Sequence, residues 1–284
     1  MVDLYRFKQF DDHAECIHAV TTKIAQEPFS FSLALHTGED RASIIANRKK
    51  VSSLLDINDT LHFVVANQTH SDHIKVITKE ETKGWEDPED AVADCDALIT
   101  DRKGVVLTVL TADCVPVLLY DKKKKIVAAV HAGWKGTKEK IVVKTVKKMI
   151  DVFKSEPSDI IAGIAPSIGQ CCYEVGEDVA KYFFDMPKAF HQNKEKYMLD
   201  LPYINQQQLL EAGVKEEHIE MSGICTACES ERFFSYRKEQ GCSGRFMSLI
   251  GLNPDYALEI TERYANHCTV ATYGETIDAP TGAP

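Results

Sequence analysis

The sequence predicts a fold of class α+β. Two apolar runs, 115–120 and 126–130, flank the basic turn 122–125 and read as an antiparallel pair. Further strand-length runs occur at 61–66, 105–110, 160–165 and 218–224, and segments of helical spacing at 41–55, 137–153 and 202–212.

Taken in order, the first thirty residues hold short strand candidates and no clear motif. Residues 29–35 alternate well enough for a strand. Asp40 caps a predicted helix over 41–55, with Ile44, Ile45, Val51, Leu54 and Leu55 as its apolar face and Arg48 as an exposed arginine within it. The strand 61–66 runs into Asn67-Gln68-Thr69-His70-Ser71-Asp72-His73, and the acidic stretch 80–90 with Gly84 and Pro88 reads as a solvated loop. Asp94-Cys95-Asp96 leads through 97–100 to a turn, and the strand 105–110 feeds the central pair. The helix over 137–153 presents Val142, Val146, Met149, Ile150 and Phe153. A strand at 160–165, a turn-rich loop to Gly176 and a helix near 177–184 follow. The helix 202–212 has Pro202 in its first turn and Gly213 as its stop. Asn253-Pro254 opens a predicted helix over 255–267, and 274–284 reads as frayed. No internal repeat and no linker divides the chain.

At 284 residues and 44% hydrophobic, the chain can bury a sizeable core. A net charge of -10 argues against a nucleic-acid backbone as partner, while a small anion held by local arginines remains compatible. No apolar run has the length of a signal peptide or a membrane span, and nine cysteines, an odd number, then suggest reduced thiols in a cytoplasmic protein. Cys171 and Cys172 are adjacent and poorly placed to bridge each other. Cys225-Thr226-Ala227-Cys228 is half a zinc ribbon at most, with no second pair at matching spacing.

His70, Cys114 and His131 each fall at a predicted strand end. Cys114 and His131 share one sheet edge, because the chain runs out along 115–120 and back along 126–130. Three readings stay open on the residues alone. Two imidazoles and a thiolate leave a fourth position, the ligand set of a catalytic zinc whose water is acidified to a pKa near 7, and the same set suits a trigonal copper. Cys114 with a histidine would make a nucleophilic pair. A packed thiol and a capping histidine would need no chemistry at all.

The motifs N-Q-T-H-S (67–71), L-T-A-D-C-V-P-V-L (110–118), V-H-A-G-W-K-G (130–136), I-G-Q-C-C-Y-E-V-G (168–176), F-F-S-Y-R (233–237) and G-R-F-M-S-L-I-G-L (244–252) occur in that order. In them the chain resembles the YfiH family, also called laccase-domain or polyphenol-oxidase-like proteins. The resemblance implies a single compact three-layer α/β/α domain with a mixed β-sheet over 1–252, followed by a C-terminal extension at 253–284. It also implies zinc on His70, Cys114 and His131. The activities it implies are phosphorolysis of adenosine, inosine, guanosine and methylthioadenosine, and adenosine deamination. Two further activities associated with the family are a copper polyphenol oxidase (laccase) and an amidase editing a UDP-muramyl amino acid. Three positions depart from the pattern: Ala34 replaces a frequent asparagine, Ala165 a frequent glycine, and Lys135 a frequent arginine.

These expectations assign roles. Asp113 carries a proton; Arg48, Arg237 and Arg245 hold phosphate, with Lys135 beside the metal; Gln68 and Tyr173 contact the nucleoside. Ten histidines without a single H-x-H pair argue against a multinuclear copper centre. The expected partners are a small nucleoside and phosphate, with no nucleic acid or membrane, and the chain is expected to be a monomer or a weak homo-oligomer.

Overall fold

The computed structural model describes residues 3–55, 60–241 and 244–254. Its strands in chain order are β1 (Leu4–Tyr5), β2 (Cys16–Thr21), β3 (His62–Val65), β4 (Ile74–Ile77), β5 (Ala97–Thr100), β6 (Val105–Thr111), β7 (Val115–Asp121), β8 (Ile126–Ala132), β9 (Ile160–Ile164), β10 (Glu174–Val175), β11 (Phe190–Asn193), β12 (Lys196–Leu199), β13 (Ile219–Met221) and β14 (Phe246–Leu252). The α-helices are α1 (Lys8–Asp11), α2 (Arg41–Leu54), α3 (Trp134–Lys138), α4 (Ile141–Phe153), α5 (Glu177–Ala180) and α6 (Leu201–Glu211).

Strands β5 to β9 are buried on both faces, as continuous runs such as Val-Pro-Val-Leu-Leu-Tyr and Ile-Val-Ala-Ala-Val demand. They divide between two mixed sheets, one of five strands in the order β1-β2-β14-β6-β3 and one of six in the order β13-β9-β7-β8-β5-β4. A small three-stranded sheet, β10-β12-β11, stands apart from them. The α+β class with mixed sheet between helices is therefore the one observed, and the sheet layer is double. Leu98, Leu118, Tyr120 and Val127 of the larger sheet pack against Val20, Leu107, Val109 and Ile250 of the smaller in one apolar cluster. Helices α4 and α6 cover the outer face of the six-stranded sheet through Val142, Val146, Met149, Ile204 and Leu209. The outer face of the five-stranded sheet packs on Phe31, Leu33, Val51 and Trp85.

Sequence expectations held where capping and period agreed. Asp40 accepts from the Ser43 amide at 2.9 Å and starts α2 as expected, and α6 opens with Pro202 in its first turn, with Asp200, which the structure adds as its cap, accepting from Tyr203 at 3.0 Å. Gly213, at φ +91°, follows α6 in the left-handed region that favours glycine. Elsewhere the structure corrects the reading. The strand expected over 29–35 is a 3-10 turn, Pro28–Phe31, because Pro28 opens the turn and Phe29 and Ser30 take positive φ. The helix expected over 137–153 is two, broken where Lys140 adopts φ +58°. The acidic stretch is not simply solvated: Trp85 is buried and stacks on Phe63 with ring centroids 4.1 Å apart. The strand expected over 218–224 shortens to β13, and β4 and β14 were not anticipated as strands. The helix expected over 255–267 and the tail lie outside the described residues.

Arg48 departs furthest from expectation. It is 1% exposed, not an exposed helical arginine. Its Nε and Nη2 donate to the Leu33 carbonyl (2.9 and 2.7 Å), and Nη1 donates to those of Gly84 and Trp85 (both 2.7 Å). The guanidinium lies over the Trp85 ring at 5.3 Å. Burial pulls its pKa down to about 10. The side chain ties α2 to the two loops that carry Leu33 and Gly84-Trp85. Arg48→Ala should lower stability by at least about 3 kcal/mol, since three buried carbonyls lose a charged donor, and Arg48→Lys should recover little of it without the planar fork. Chemical denaturation of the three proteins checks this.

Candidate active site

Parallel pairing of β3 with β6 sets their carboxyl ends side by side. From those ends the chain crosses twice to the six-stranded sheet, once through 66–73 into β4 and once through 112–114 into β7. His70 lies on the first crossing and Cys114 on the second. Antiparallel β7 and β8 pair Val115 with Ala132 and Pro116 with His131, so the end of β8 returns to the start of β7. The three residues expected from strand ends therefore converge, and their ligand atoms all lie within 4.8 Å of one another. Cys114 Sγ is 4.0 Å from His70 Nε2, and the two imidazoles meet edge to face with centroids 4.8 Å apart. Gly133 makes the approach feasible: a Cβ there would lie 3.2 Å from both Cys114 Sγ and His70 Cδ2.

Asp96, which the sequence reading passed over, organises the cluster. Its backbone continues the β5–β8 ladder, accepting the His131 amide at 2.7 Å, which places the two side chains together. One carboxylate oxygen meets His131 Nδ1 at 2.7 Å and accepts the His70 amide at 3.1 Å. The other accepts Ser71 N and Oγ, both at 2.7 Å, and Thr69 N at 3.2 Å. His70 holds φ +58°, a conformation costing about 1–3 kcal/mol, and the Asp96 contacts to three successive residues keep it there. Asp96 is 1% exposed; burial works against its charge, yet the His131 imidazole and the Ser71 donors hold its carboxyl well below the usual carboxylate range. With Nδ1 facing Asp96, His131 turns Nε2 toward the cluster.

The electrostatics follow from the packing. Burial alone would raise the Cys114 thiol, but the His131 imidazole beside it brings it down to about 6. Burial would lower His131, but the Cys114 thiolate and Asp96 carry it up to about 9. Two imidazole nitrogens and one readily ionised sulfur are borderline-soft donors that fit a transition metal such as zinc or copper, with Asp96 as the carboxylate behind a ligating histidine.

The cluster lines a cavity of about 590 Å³ that also contains Tyr173, Tyr236, Arg237, Arg245 and His36. Arg237 stacks over Tyr173 at 5.3 Å and donates from Nη1 to the Glu174 carbonyl at 2.8 Å. Arg245 lies 5.9 Å over Tyr236 and donates from Nη1 to the Gly244 carbonyl at 2.8 Å. Four residues with expected roles make contacts that those roles did not anticipate. Arg48 reaches the cavity wall, but as the brace described above. Gln68 pairs its amide with both Leu110 N (2.8 Å) and Leu110 O (2.9 Å), extending the β3–β6 ladder. Asp113, at φ +92°, accepts Thr226 Oγ1 on one oxygen and the Arg237 amide on the other, each at 2.7 Å. That makes Asp113 a positioning residue for the Arg237 loop. Lys135 is exposed, absent from the cavity wall, with Nζ 5.8 Å from the Trp134 ring. No local signal marked Asp96; it stands 26 residues from His70 and 35 from His131.

Asp96→Asn keeps the shape but removes the charge behind His131. Metal affinity should fall about ten- to a hundred-fold, measured by competition with a chromophoric chelator. Unchanged affinity would remove Asp96 from the site.

The chain is similar to known proteins in both sequence and fold. The family described as multi-copper polyphenol oxidoreductase laccase matches residues 17–253. Purine nucleoside phosphorylase YlmD of Bacillus subtilis (strain 168) is 36% identical over 251 residues, covering 85% of this chain and 90% of the relative. Adenosine deaminase RL5, from an unknown prokaryotic organism, is 34% identical over 221 residues, covering 75% and 84%. The crystal structure of the Bacillus licheniformis hypothetical protein YfiH superposes with a TM-score of 0.82 at 35% identity, over 88% of this chain and 96% of that one. The chain thus belongs to the laccase-like YfiH family, whose relatives named as purine nucleoside phosphorylases and an adenosine deaminase mark it as a family of nucleoside-processing enzymes.

Proposed function

We propose that this chain is a zinc-dependent purine nucleoside enzyme, acting by phosphorolysis on adenosine, inosine, guanosine and methylthioadenosine and by deamination on adenosine. The observation that carries the reading is the placement of His70, Cys114 and His131 in the wall of a cavity that also holds Arg237 and Arg245. His70, Cys114 and His131 would hold the metal, which supplies Lewis acidity at the polar end of the substrate.

The rest of the chemistry falls to the chain itself. In phosphorolysis a phosphate oxygen bonds to ribose C1′, the bond from C1′ to the purine nitrogen breaks, and the base leaves with a proton. In deamination water adds at the amino-bearing purine carbon and ammonia leaves. Arg237 and Arg245 supply planar donors suited to a phosphate, and each is steadied by an aromatic ring and a backbone carbonyl. Tyr173, beneath Arg237, offers an apolar face for a purine or ribose. Asp113 fixes the backbone of Arg237, and Asp96 fixes the tautomer of His131. The cavity volume suits a nucleoside with an anion beside it.

One observation favours a second reading. The lowered Cys114 thiol beside a raised His131 is also the pairing of a cysteine nucleophile, which would suit an amidase acting on a UDP-muramyl amino acid. Copper in a polyphenol oxidase has no comparable support: among the described residues the histidine-containing metal group is this single one. The chain is expected to act as a monomer or weak homo-oligomer in the cytoplasm; among the described residues no helix is long and apolar enough to cross a membrane.

Cys114→Ser replaces a soft anion with a neutral hydroxyl, so both zinc at this site and nucleoside turnover should fall steeply, as they should for His70→Ala and His131→Ala. Metal analysis with a nucleoside assay, with and without phosphate, decides the matter. Under the amidase reading Cys114→Ser abolishes amide cleavage, and no metal is lost. Arg237→Ala or Arg245→Ala should raise the phosphate KM about ten- to a hundred-fold while deamination stays within a few-fold. Normal phosphate dependence in both would exclude an anion site here.

A further inference from the structure

A second group of metal-ligating side chains lies outside the site just described. Strands β9 and β13 pair in parallel, so the loops that follow them leave the sheet at the same end. Ser167 and Cys225 continue that pairing, with Ser167 N donating to Ile224 O at 3.2 Å and Thr226 N donating to Ser167 O at 3.0 Å. This lays Cys171-Cys172 of one loop against Cys225 and Cys228 of the other. Cys228 Sγ is 3.6 Å from Cys171 Sγ and 3.5 Å from Cys172 Sγ, and all four sulfurs lie within 4.8 Å of one another.

We infer that Cys171, Cys172, Cys225 and Cys228 form a structural zinc site that clips together the two loops bearing Tyr173 and Arg237. Four sulfurs around one zinc, each about 2.3 Å from it, stand about 3.8 Å apart. The observed separations are close to that and far beyond the roughly 2.05 Å of a disulfide. Four protein sulfurs leave no open position, which is the mark of a structural rather than a catalytic site. The surroundings are shaped for sulfur as well. The Gly169 amide donates to Cys225 Sγ at 3.2 Å, and a Cβ on Gly169 would lie 3.4 Å from Cys171 Sγ and 3.2 Å from Cys225 Cβ. Cys225 and Cys228 have no second pair at matching spacing, as expected, but the fold brings two further thiols beside them. The second pair is adjacent in sequence, which no search for a repeated C-x-x-C finds.

The clip has a place in the architecture. Tyr173 follows Cys172 directly, and Thr226, next to Cys225, donates to Asp113, the neighbour of Cys114. Arg237, farther along the second loop, donates back to Glu174 on the first. Metal at the four cysteines would therefore hold one wall of the cavity without touching its contents. The inference stands independently of the chemistry proposed for His70, Cys114 and His131.

The test is elemental analysis and cobalt substitution on the full chain, produced with zinc and purified without oxygen. Wild type should carry two zinc per chain, and Cys225→Ser/Cys228→Ser should keep one. His70→Ala/His131→Ala should also keep one, and its cobalt form should show the intense thiolate-to-metal absorption of an all-sulfur site. That second variant carries the test if the cysteine variant does not fold. Wild type with at most one zinc, all of it lost in His70→Ala/His131→Ala, would overturn the inference. So would iron in place of zinc, a thiol count two short through a disulfide, or a second zinc undisturbed by Cys225→Ser/Cys228→Ser.

Discussion

A single buried carboxylate sets the geometry of this protein's site. Asp96 meets His131 through Nδ1 and gathers the backbone amides of Thr69, His70 and Ser71. An unpaired charge at 1% exposure would be costly. The carboxylate is sustained by these donors, and the same donors are fixed by it. The interaction joins the loop that brings His70 to the strand that brings His131, and it holds the His131 ring through Nδ1 while fixing the backbone of His70 beside Cys114.

The site lies on a seam between the two sheets. Two crossings run side by side at the carboxyl ends of β3 and β6, and each contains a residue with positive φ, His70 at +58° and Asp113 at +92°. Both are held by side-chain and backbone hydrogen bonds: His70 through Asp96, and Asp113 through Thr226 and Arg237. Strain of this kind survives where the surroundings over-determine it, and it concentrates where a protein binds or reacts. Gln68 adds to the same seam by standing in for a strand residue against Leu110. Several polar side chains near the cavity thus act by aiming others.

The family description names multiple coppers, and the arrangement here bears on that name. Among the described residues the groups able to hold a metal are one of two imidazoles with a thiol and one of four thiols. Neither has the paired histidines that place neighbouring coppers within reach of each other. The names of the relatives, phosphorylase and deaminase, sit better with a cavity that combines one metal-binding group with arginines backed by aromatic rings.

The sequence by itself determined the central hairpin, the capped start of α2, and the three residues that converge in the candidate metal cluster. These are local facts: continuous apolar runs form buried strands, Asp40 satisfies the first amides of a helix, and a strand end is where a polar side chain can emerge. Tertiary structure alone decided the rest. Arg48 looked exposed because helical spacing says nothing of the loops that bring the carbonyls of Leu33, Gly84 and Trp85 to its fork. Asp96 was invisible because its meaning lies in the β5–β8 register, which sets it opposite His131 across 35 residues of chain. Gln68 and Asp113 line the cavity, and only the fold shows that they also hold Leu110 and the Arg237 loop. Cys171 and Cys172 acquired partners only because β9 and β13 pair in parallel and deliver both loops to one end of the sheet. Pairing over such distances is set by which apolar faces close on each other, a property of the whole core that no window of sequence contains.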